Sequence, residues 1–523
     1  MEHLELVVLG LLVATAALAV LANAVKVPYP IVLVVGGSVI GLVSGGSGVS
    51  LDPDIVLLIF LPPLLYGAAF FTSLRDLRRH VRSIALLSIG VVFVTMIAVA
   101  LVAHHVIGLG WAESFVLGAI VSPTDAVAPA EILRRLGAPR RLITIVEGEN
   151  LTNDWTALVL YRFAVAAVVT GSFSLAEAGL RFVVNGVGGL LLGLAVGWCI
   201  KQVRSRVDDP PTEITISILS GYAAYLPAEE LGLSGVIAAV TVGIYMGWHT
   251  PVLTTPIMRI QGTSVWEILQ FLVNAVLYLL VGLQLPEVLD GIPGRSVAEL
   301  VGYGALVAAV VIGVRLAWQF SVPYVDHGPG EAGRRLPAAE RLVIGWAGMR
   351  GSVSLAAALA VPLETDAGAA FPERDLLIFL AYAVIFATLV GQGLTLGPLI
   401  DRLRICDDGE VDREGSQASL QMAQAALARI EELRGEDWTR DDTLERVRGL
   451  FEYRRRRFDP EHETDRDGTP YEERTDAYRR LMFELFDAQR EALIALRNEG
   501  VISDEVRRRL ERDLDLEETR IQA

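Results

Sequence analysis

Thirteen stretches of the chain are apolar over about the length of a membrane-crossing helix, and most charged residues fall between them or after the last. A hydrocarbon core about 30 Å thick takes about 20 apolar residues per helix. The stretches run over 4–23, 28–46, 54–71, 83–106, 112–133, 142–169, 178–200, 212–227, 232–248, 264–285, 298–321, 341–362 and 376–400. The opening residues Met1 to Glu5 include no basic group ahead of the first apolar run, so that run is predicted to be a retained helix and not a cleaved signal. Beyond the last stretch the pattern changes to apolar positions at helical spacing among charges, over Ser416–Leu433, Asp442–Arg457 and Tyr471–Glu499. Asp459–Pro470 breaks that pattern. The expectation is an all-α polytopic membrane protein, with a transmembrane domain over 1–402 and a charged, helical, cytoplasmic domain over 403–523.

Composition agrees with this division: the chain is 52% hydrophobic and 20% charged, with a mean hydropathy of +0.46. Residues 401–523 hold 23 of the 45 basic and 33 of the 61 acidic residues, so the charge is concentrated in the last quarter. A net charge of −16 argues against nucleic acid as a partner, because such binding rests on Lys and Arg neutralising phosphates. Cys199 and Cys406 are too few for a disulfide framework, a redox pair or a cysteine-rich zinc site.

Arginine placement gives an orientation, since short loops rich in Lys and Arg stay cytoplasmic. Alternate loops carry Lys26; Arg75, Arg78, Arg79 and Arg82; Arg134, Arg135, Arg140 and Arg141; Lys201, Arg204 and Arg206; Arg259; and Arg334, Arg335 and Arg341. The intervening loops hold only Arg295 and Arg374, with acidic or neutral stretches such as Ser50–Asp54. An odd number of crossings then places the N-terminus outside and the charged C-terminal region in the cytoplasm.

Three stretches carry ionisable residues near mid-depth, where each costs about 2.5 to 3.5 kcal/mol on insertion scales. The fifth contains Ser122-Pro123-Thr124-Asp125-Ala126-Val127-Ala128-Pro129, whose prolines predict a broken helix. The sixth contains Glu147-Gly148-Glu149-Asn150-Leu151-Thr152-Asn153-Asp154, and the twelfth Gly348-Met349-Arg350-Gly351-Ser352-Val353-Ser354, a second break. On the sixth, Glu147, Asn150 and Asp154 form one polar stripe, and Glu149 with Asn153 a second beside it. Broken helices offer unpaired amides and carbonyls at the midplane, where transporters bind ions. Asp125 and Arg350 would offset the exposed dipole ends. Asp125 is read as a dipole partner ahead of a ligand. Glu149 with Arg350 is read as a buried structural pair ahead of direct cation contact. Asn153-Asp154 as a mere structural pair is the lesser reading, because a buried carboxylate at mid-depth has cheaper replacements. The fifth and twelfth helices are equivalent if helices one to six and eight to thirteen form an inverted repeat around the seventh.

At these residues the sequence resembles the monovalent cation:proton antiporters of the NhaP type, relatives of the animal sodium/proton exchangers. The resemblance rests on Leu61-Pro62-Pro63-Leu64-Leu65, Thr124-Asp125-Ala126, Glu149 to Asp154 and Gly348 to Ser354. The run from Trp266-Glu267 through Asn274 to Gly282-Leu283-Gln284-Leu285, and Glu491 to Glu517 as in bacterial members, add to it. It implies that Asp154 is the shared cation and proton carboxylate, with Thr124 and Asn150 as further cation ligands and Asn153, Glu149 and Arg350 as the supporting network. It also implies a homodimer in a bacterial inner membrane, a role in pH homeostasis, and no cofactor beyond the transported Na+ and H+. An Asn before the Asp is the pattern of electroneutral exchangers. Three departures stand out: Asn150 replaces the usual Ser, Ala126 the usual Pro, and Gly67 lies where several relatives have a glutamate.

Exchange of Na+ for H+ is therefore the expected function, with K+ or Li+ as alternative cations at the same site. A cation channel is the rival class and would need a continuous polar pore or filter, of which a Thr-Val-Gly-Tyr-Gly carbonyl filter is one form and is absent. The motifs HExxH, GxSxG and a Walker loop, which would point to an enzyme, are also absent.

Overall fold

The computed structural model describes residues 2–44, 53–72, 81–171, 175–292, 294–321, 336–405, 409–436, 438–459 and 471–522. Arg75, Arg78, Arg79, Arg334, Arg335, Cys406, most of Ser50–Asp54 and nearly all of Asp459–Pro470 lie outside them. Every described element is helical apart from one isolated bridge between Glu364 and Ala370. The chain divides into two compact units, Met1–Asp407 and Asp408–Ala523.

The first unit begins with α1 (Glu2–Val25), α2 (Tyr29–Ser44), α3 (Pro53–Phe71) and α4 (Val81–Val102), the last continuing into a π-helical turn at Ala103–Ile107. Next come α5 (Trp111–Val121) and α6 (Val127–Arg135), α7 (Arg140–Thr170), α8 (Leu175–Arg204), α9 (Pro210–Glu230), α10 (Gly235–Leu253), α11 (Pro256–Asp290) and α12 (Val297–Ser321). Then follow α13 (Ala338–Trp346) and α14 (Ser352–Leu359), and α15 (Arg374–Phe386) joined to α16 (Gly393–Leu403) by a π-helical stretch at Ala387–Gln392. Each apolar stretch falls on one helix or on one such pair. Six of these helices are long and apolar enough to cross a membrane unaided, α11 and α12 among them.

Local chemistry sets the ends. Asp209 accepts from Thr212 N at 3.0 Å ahead of Pro210 and Pro211, and Ser234 accepts from Ile237 N at 3.3 Å, so α9 and α10 start on side-chain caps. Gly108 and Gly171, at φ of 87° and 65°, take the left-handed conformation that stops the preceding helices.

Packing sorts these helices into two groups. In one, α2 lies along α11, and α3, α8 and α9 pack on α10. In the other, α4, α5 and α7 pack together, and α12 joins them to α13 and α15. The short α14 touches both groups, against α3 and α11 on one side and α5 and α15 on the other. Both helix interruptions therefore sit where the two groups meet. The contact between α2 and α11 depends on small residues: a Cβ on Gly37 would lie 2.5 Å from the Leu279 carbonyl oxygen, and one on Gly282 would lie 2.6 Å from Ser38 N and Val34 O. Lipid supplies no hydrophobic drive between helices, so close backbone packing of this kind holds them together.

The second unit consists of α17 (Glu410–Glu432), α18 (Asp441–Arg457), α19 (Tyr471–Asn498) and α20 (Asp504–Gln522), packed as α17 with α18 and α19 with α20. Arg448 bridges to Glu431 at 2.8 Å and Arg490 to Asp515 at 2.8 Å, while Phe486 is buried.

The packing at Gly282 predicts that Gly282→Val lowers the thermal unfolding temperature of the purified protein by several degrees, since forcing groups into a filled contact costs about 1 to 3 kcal/mol. Gly302→Val, where a Cβ would meet nothing within 4 Å, is the control and leaves it unchanged. Equal unfolding temperatures for the two variants would contradict the close α2–α11 contact.

Candidate functional site

Helix α5 ends at Val121 and α6 starts at Val127; α13 ends at Trp346 and α14 starts at Ser352. The two interruptions are bonded directly, because Asp125 N donates to the Met349 carbonyl at 2.8 Å. The Asp125 carboxylate links them again. Its Oδ1 accepts from Val127 N at 2.8 Å, its Oδ2 accepts from Ser352 N at 3.0 Å, and the Tyr278 hydroxyl donates to Oδ2 from α11. One carboxylate thus serves the first amides of two helices, whose N-terminal ends each carry about half a positive charge. Gly351 makes room for it: a Cβ there would run into the Asp125 carboxylate. Pro129 stands inside the first turn of α6, where a missing N–H costs nothing, so the interruption is set at 122–126 and not at both prolines.

Helix α7 passes this junction unbroken for 31 residues, about 46 Å at 1.5 Å per residue. It brings Glu149, Asn153 and Asp154 to the site, each buried. Asn153 Nδ2 donates to Thr124 Oγ1 at 3.0 Å and to Glu149 Oε1 at 3.3 Å, which ties α7 to the first interruption. Asn150 Nδ2 reaches Asp154 Oδ2 at 3.4 Å, one helical turn along. Asp154 Oδ1 is buried with no hydrogen-bond partner among the described residues. A cavity just large enough for one water molecule is lined by Thr124, Asp125, Asp154 and the 351–354 segment. Asn150 and Asn153 lie outside its lining.

The expected partnership of Glu149 with Arg350 is corrected. Glu149 pairs with Arg315 on α12, through Nη1 to Oε1 at 2.6 Å and Nη2 to Oε2 at 3.0 Å, and both side chains are 2% exposed or less. Arg315 Nη2 also donates to the Ile344 carbonyl at 3.2 Å, near the end of α13. The bidentate fork matches a carboxylate in geometry, which one guanidinium can do fully for only one partner. Arg315 escaped the sequence reading because it lies six residues from the end of an apolar stretch, where an arginine ordinarily reaches the interface. A lone Arg in the 298–321 run, in register with mid-depth carboxylates, was the available signal.

Arg350 is also buried, four residues past the end of α13, where helix carbonyls favour a cation. Its backbone N–H donates to Thr388 Oγ1 at 3.1 Å, in the π-helical stretch after α15. Glu147 is not brought to the site: it pairs with Arg134, both well exposed. Arg162 meets Glu229 at 2.8 and 3.0 Å and Tyr225 at 3.3 Å, on α9.

Among the described residues, the buried ionisable groups around the junction are three carboxylates, Asp125, Glu149 and Asp154, and two guanidiniums, Arg315 and Arg350. The other buried ones of this unit pair elsewhere, Arg204 with Glu213 and Glu340 with Arg141. Asp125 caps two helices and Glu149 holds Arg315, while Asp154 makes no ion pair among the described residues.

Residues 10–402 match the family profile "Sodium/hydrogen exchanger, transmembrane". The chain belongs to the sodium/hydrogen exchanger family. It is 36% identical to an uncharacterized Na+/H+ exchanger of Mycobacterium tuberculosis, over 98% of this chain and 96% of that one. It is 32% identical to a sodium, potassium, lithium and rubidium/H+ antiporter of Bacillus subtilis, over 70% of this chain and 56% of that one. Its fold is similar to that of the sodium proton antiporter MjNhaP1 from Methanocaldococcus jannaschii, with a TM-score of 0.59 at 18% identity, covering 77% of this chain and 99% of that one. Members of the sodium/hydrogen exchanger family are multi-pass membrane transporters and not enzymes.

In this exchanger Arg315→Ala leaves the buried Glu149 charge without a partner, so it should cost about 3 to 5 kcal/mol of stability. Adding Glu149→Ala should recover part of that loss. Thermal unfolding of the single and double variants checks this, with Arg350→Ala as the comparison. Rescue of Arg350→Ala and not of Arg315→Ala by Glu149→Ala would contradict the pairing.

Proposed function

We propose that the chain exchanges Na+ for H+ by alternating access, one ion of each kind per cycle, with Asp154 carrying both in turn. The observation that carries this reading is the unpartnered Oδ1 of a buried Asp154, facing a cavity where two interrupted helices cross. A carboxylate in low dielectric that has no internal counter-charge strongly favours taking up a cation. Hard oxygen ligands suit a Group 1 cation, and Thr124 offers one beside the carboxylate. A proton and a cation then compete for one group, and whichever is bound discharges the site. With its charge cancelled, the junction passes through the apolar interior at far lower cost. Unoccupied, the carboxylate resists that passage, which couples the two fluxes.

In this reading Thr124 and Asp154 ligate the cation. Asn150 and Asn153 hold the carboxylate and threonine oxygens in place, Glu149 is held by the bidentate Arg315, and Asp125 and Arg350 compensate the helix ends. The expected membrane arrangement has thirteen crossings, with the helices before and after α8 forming inverted repeats and the fifth and twelfth crossings interrupted. The N-terminus lies outside and residues 408–523 in the cytoplasm of a bacterial inner membrane. The protein works there as a homodimer that serves pH homeostasis. K+ and Li+ are the alternative substrates at the same oxygens, in line with the range of ions named for the Bacillus subtilis relative.

Purified protein in liposomes containing a pH-sensitive dye should alkalinise the lumen saturably when the lumen is acidic and Na+ is added outside. Asp154→Asn, which keeps the shape but binds neither ion, should abolish the response while the protein stays folded. An Asp154→Asn protein that exchanges at near wild-type rate would disprove the assignment. Repeating the pulse with K+ and Li+ ranks the cations.

A further inference from the structure

Ser354, in the first turn of α14, is 2% exposed and lines the same cavity as Asp154 and Thr124. Its Oγ has no hydrogen-bond partner among the described residues. Buried serine hydroxyls in helices commonly donate to the carbonyl one turn back, and this structure holds several such bonds, Ser38 to Val34 and Ser220 to Ile216 among them. Ser354 makes no such bond: the residue four before it is Arg350, which lies ahead of α14 in the interruption. The start of α14 therefore places at the cavity a serine whose hydroxyl no backbone group absorbs. Asp154 lines the same cavity, and its Oδ1 is likewise unpartnered. Two oxygens without partners, on residues of α7 and α14 that line one small cavity, form a donor set for a bound ion.

We infer that Ser354 Oγ is a ligand of the transported cation, supplied by the second interrupted helix. This rests on Asp154 being the ion-carrying carboxylate. Asn150 is not available for the role from where it stands, since its amide nitrogen turns toward Asp154 Oδ2 and the residue does not line the cavity. A serine hydroxyl oxygen carries lone pairs that coordinate a cation, and a cation held between α7 and α14 would partner both oxygens at once. The hydroxyl also joins the cation to α14, as Thr124 joins it to the first interruption, so occupancy is registered on both sides of the junction. Ser354 is neutral and adds nothing to the charge that must be discharged. Its removal should therefore weaken cation binding without ending exchange.

The test uses full-length protein in liposomes at a fixed alkaline pH, comparing wild type, Ser354→Ala, Ser354→Thr and Asp154→Asn. The expected result is that Ser354→Ala raises the KM for Na+ about tenfold with kcat within about twofold. Ser354→Thr, which keeps the hydroxyl, should restore most of the affinity, and the order of preference among Na+, Li+ and K+ should change in Ser354→Ala. An unchanged KM and ion preference in Ser354→Ala, or a Ser354→Thr variant as impaired as Ser354→Ala, would overturn the inference while an inactive Asp154→Asn leaves the function standing. An active Asp154→Asn would overturn both. If Ser354→Ala fails to fold, Ser354→Cys, which replaces the hard oxygen by sulfur, should show the same rise in KM, and wild-type affinity in that variant would overturn the assignment.

Discussion

Two helices that stop at a buried junction leave amides and carbonyls without helical partners, and one carboxylate resolves part of that problem. Asp125 accepts from the first amides of α6 and α14 together, and its own N–H closes onto the Met349 carbonyl. Each unsatisfied group in a bilayer core would cost several kcal/mol, so the crossing depends on this carboxylate as an acceptor for both helix ends. Tyr278, reaching in from α11, fixes the carboxylate against the other helix group. Gly351 is required because any side chain there would displace it. The position of the cavity, the facing of Ser352 and Ser354, and the depth at which α7 passes all follow from where Asp125 holds the two interruptions.

Once Asp125 is committed to helix ends, the remaining charges are apportioned with little freedom. Arg315 is bidentate to Glu149, and a separation of these two would strand both in the interior. Arg350 stands at the carbonyl end of α13. Of the three buried carboxylates at the junction, Asp154 lines the cavity with an oxygen that has no hydrogen-bond partner among the described residues. Asp125 and Glu149 are bonded within the protein, and Asp154 is the carboxylate left able to take an ion from outside it. The two helix groups meet across α14, and glycine contacts such as Gly37 against α11 hold the first of them together.

Most of this was legible in the residues. Hydropathy located the helices because a 20-residue apolar run has few other uses, and Ser122-Pro123-Thr124 and Gly348 to Gly351 marked the interruptions through residues that loosen or end a helix. Asp125, Glu149, Asn153 and Asp154 stood out because charge and amide at mid-depth are costly. Partner choice was not legible. Helical spacing says which residues share a face, but it does not say which arginine of another helix reaches that face, so Glu149 was matched to Arg350 when Arg315 holds it. Glu147 showed the same limit in reverse, since its register fitted the site while the nearer Arg134 at the helix entrance drew it away. Ser354 was visible only as part of a motif. Its importance comes from a missing hydrogen bond, and sequence does not record those.

A single carboxylate, Asp154, discharged by one proton or one cation in each half-cycle makes exchange one for one. The direct measurement is the balance point of exchange in liposomes whose membrane potential is clamped with K+ and valinomycin, after K+ alone is found not to move the dye. One-for-one exchange gives zero net flux whenever the Na+ and H+ gradients are equal in ratio, at every clamped potential. A second transported charge per cycle would add about 2.3 kcal/mol per 100 mV, moving the balance ratio about fifty-fold. A balance point that shifts with voltage in that way would contradict the claim and show that another carboxylate, Glu149 first among them, changes its charge during the cycle.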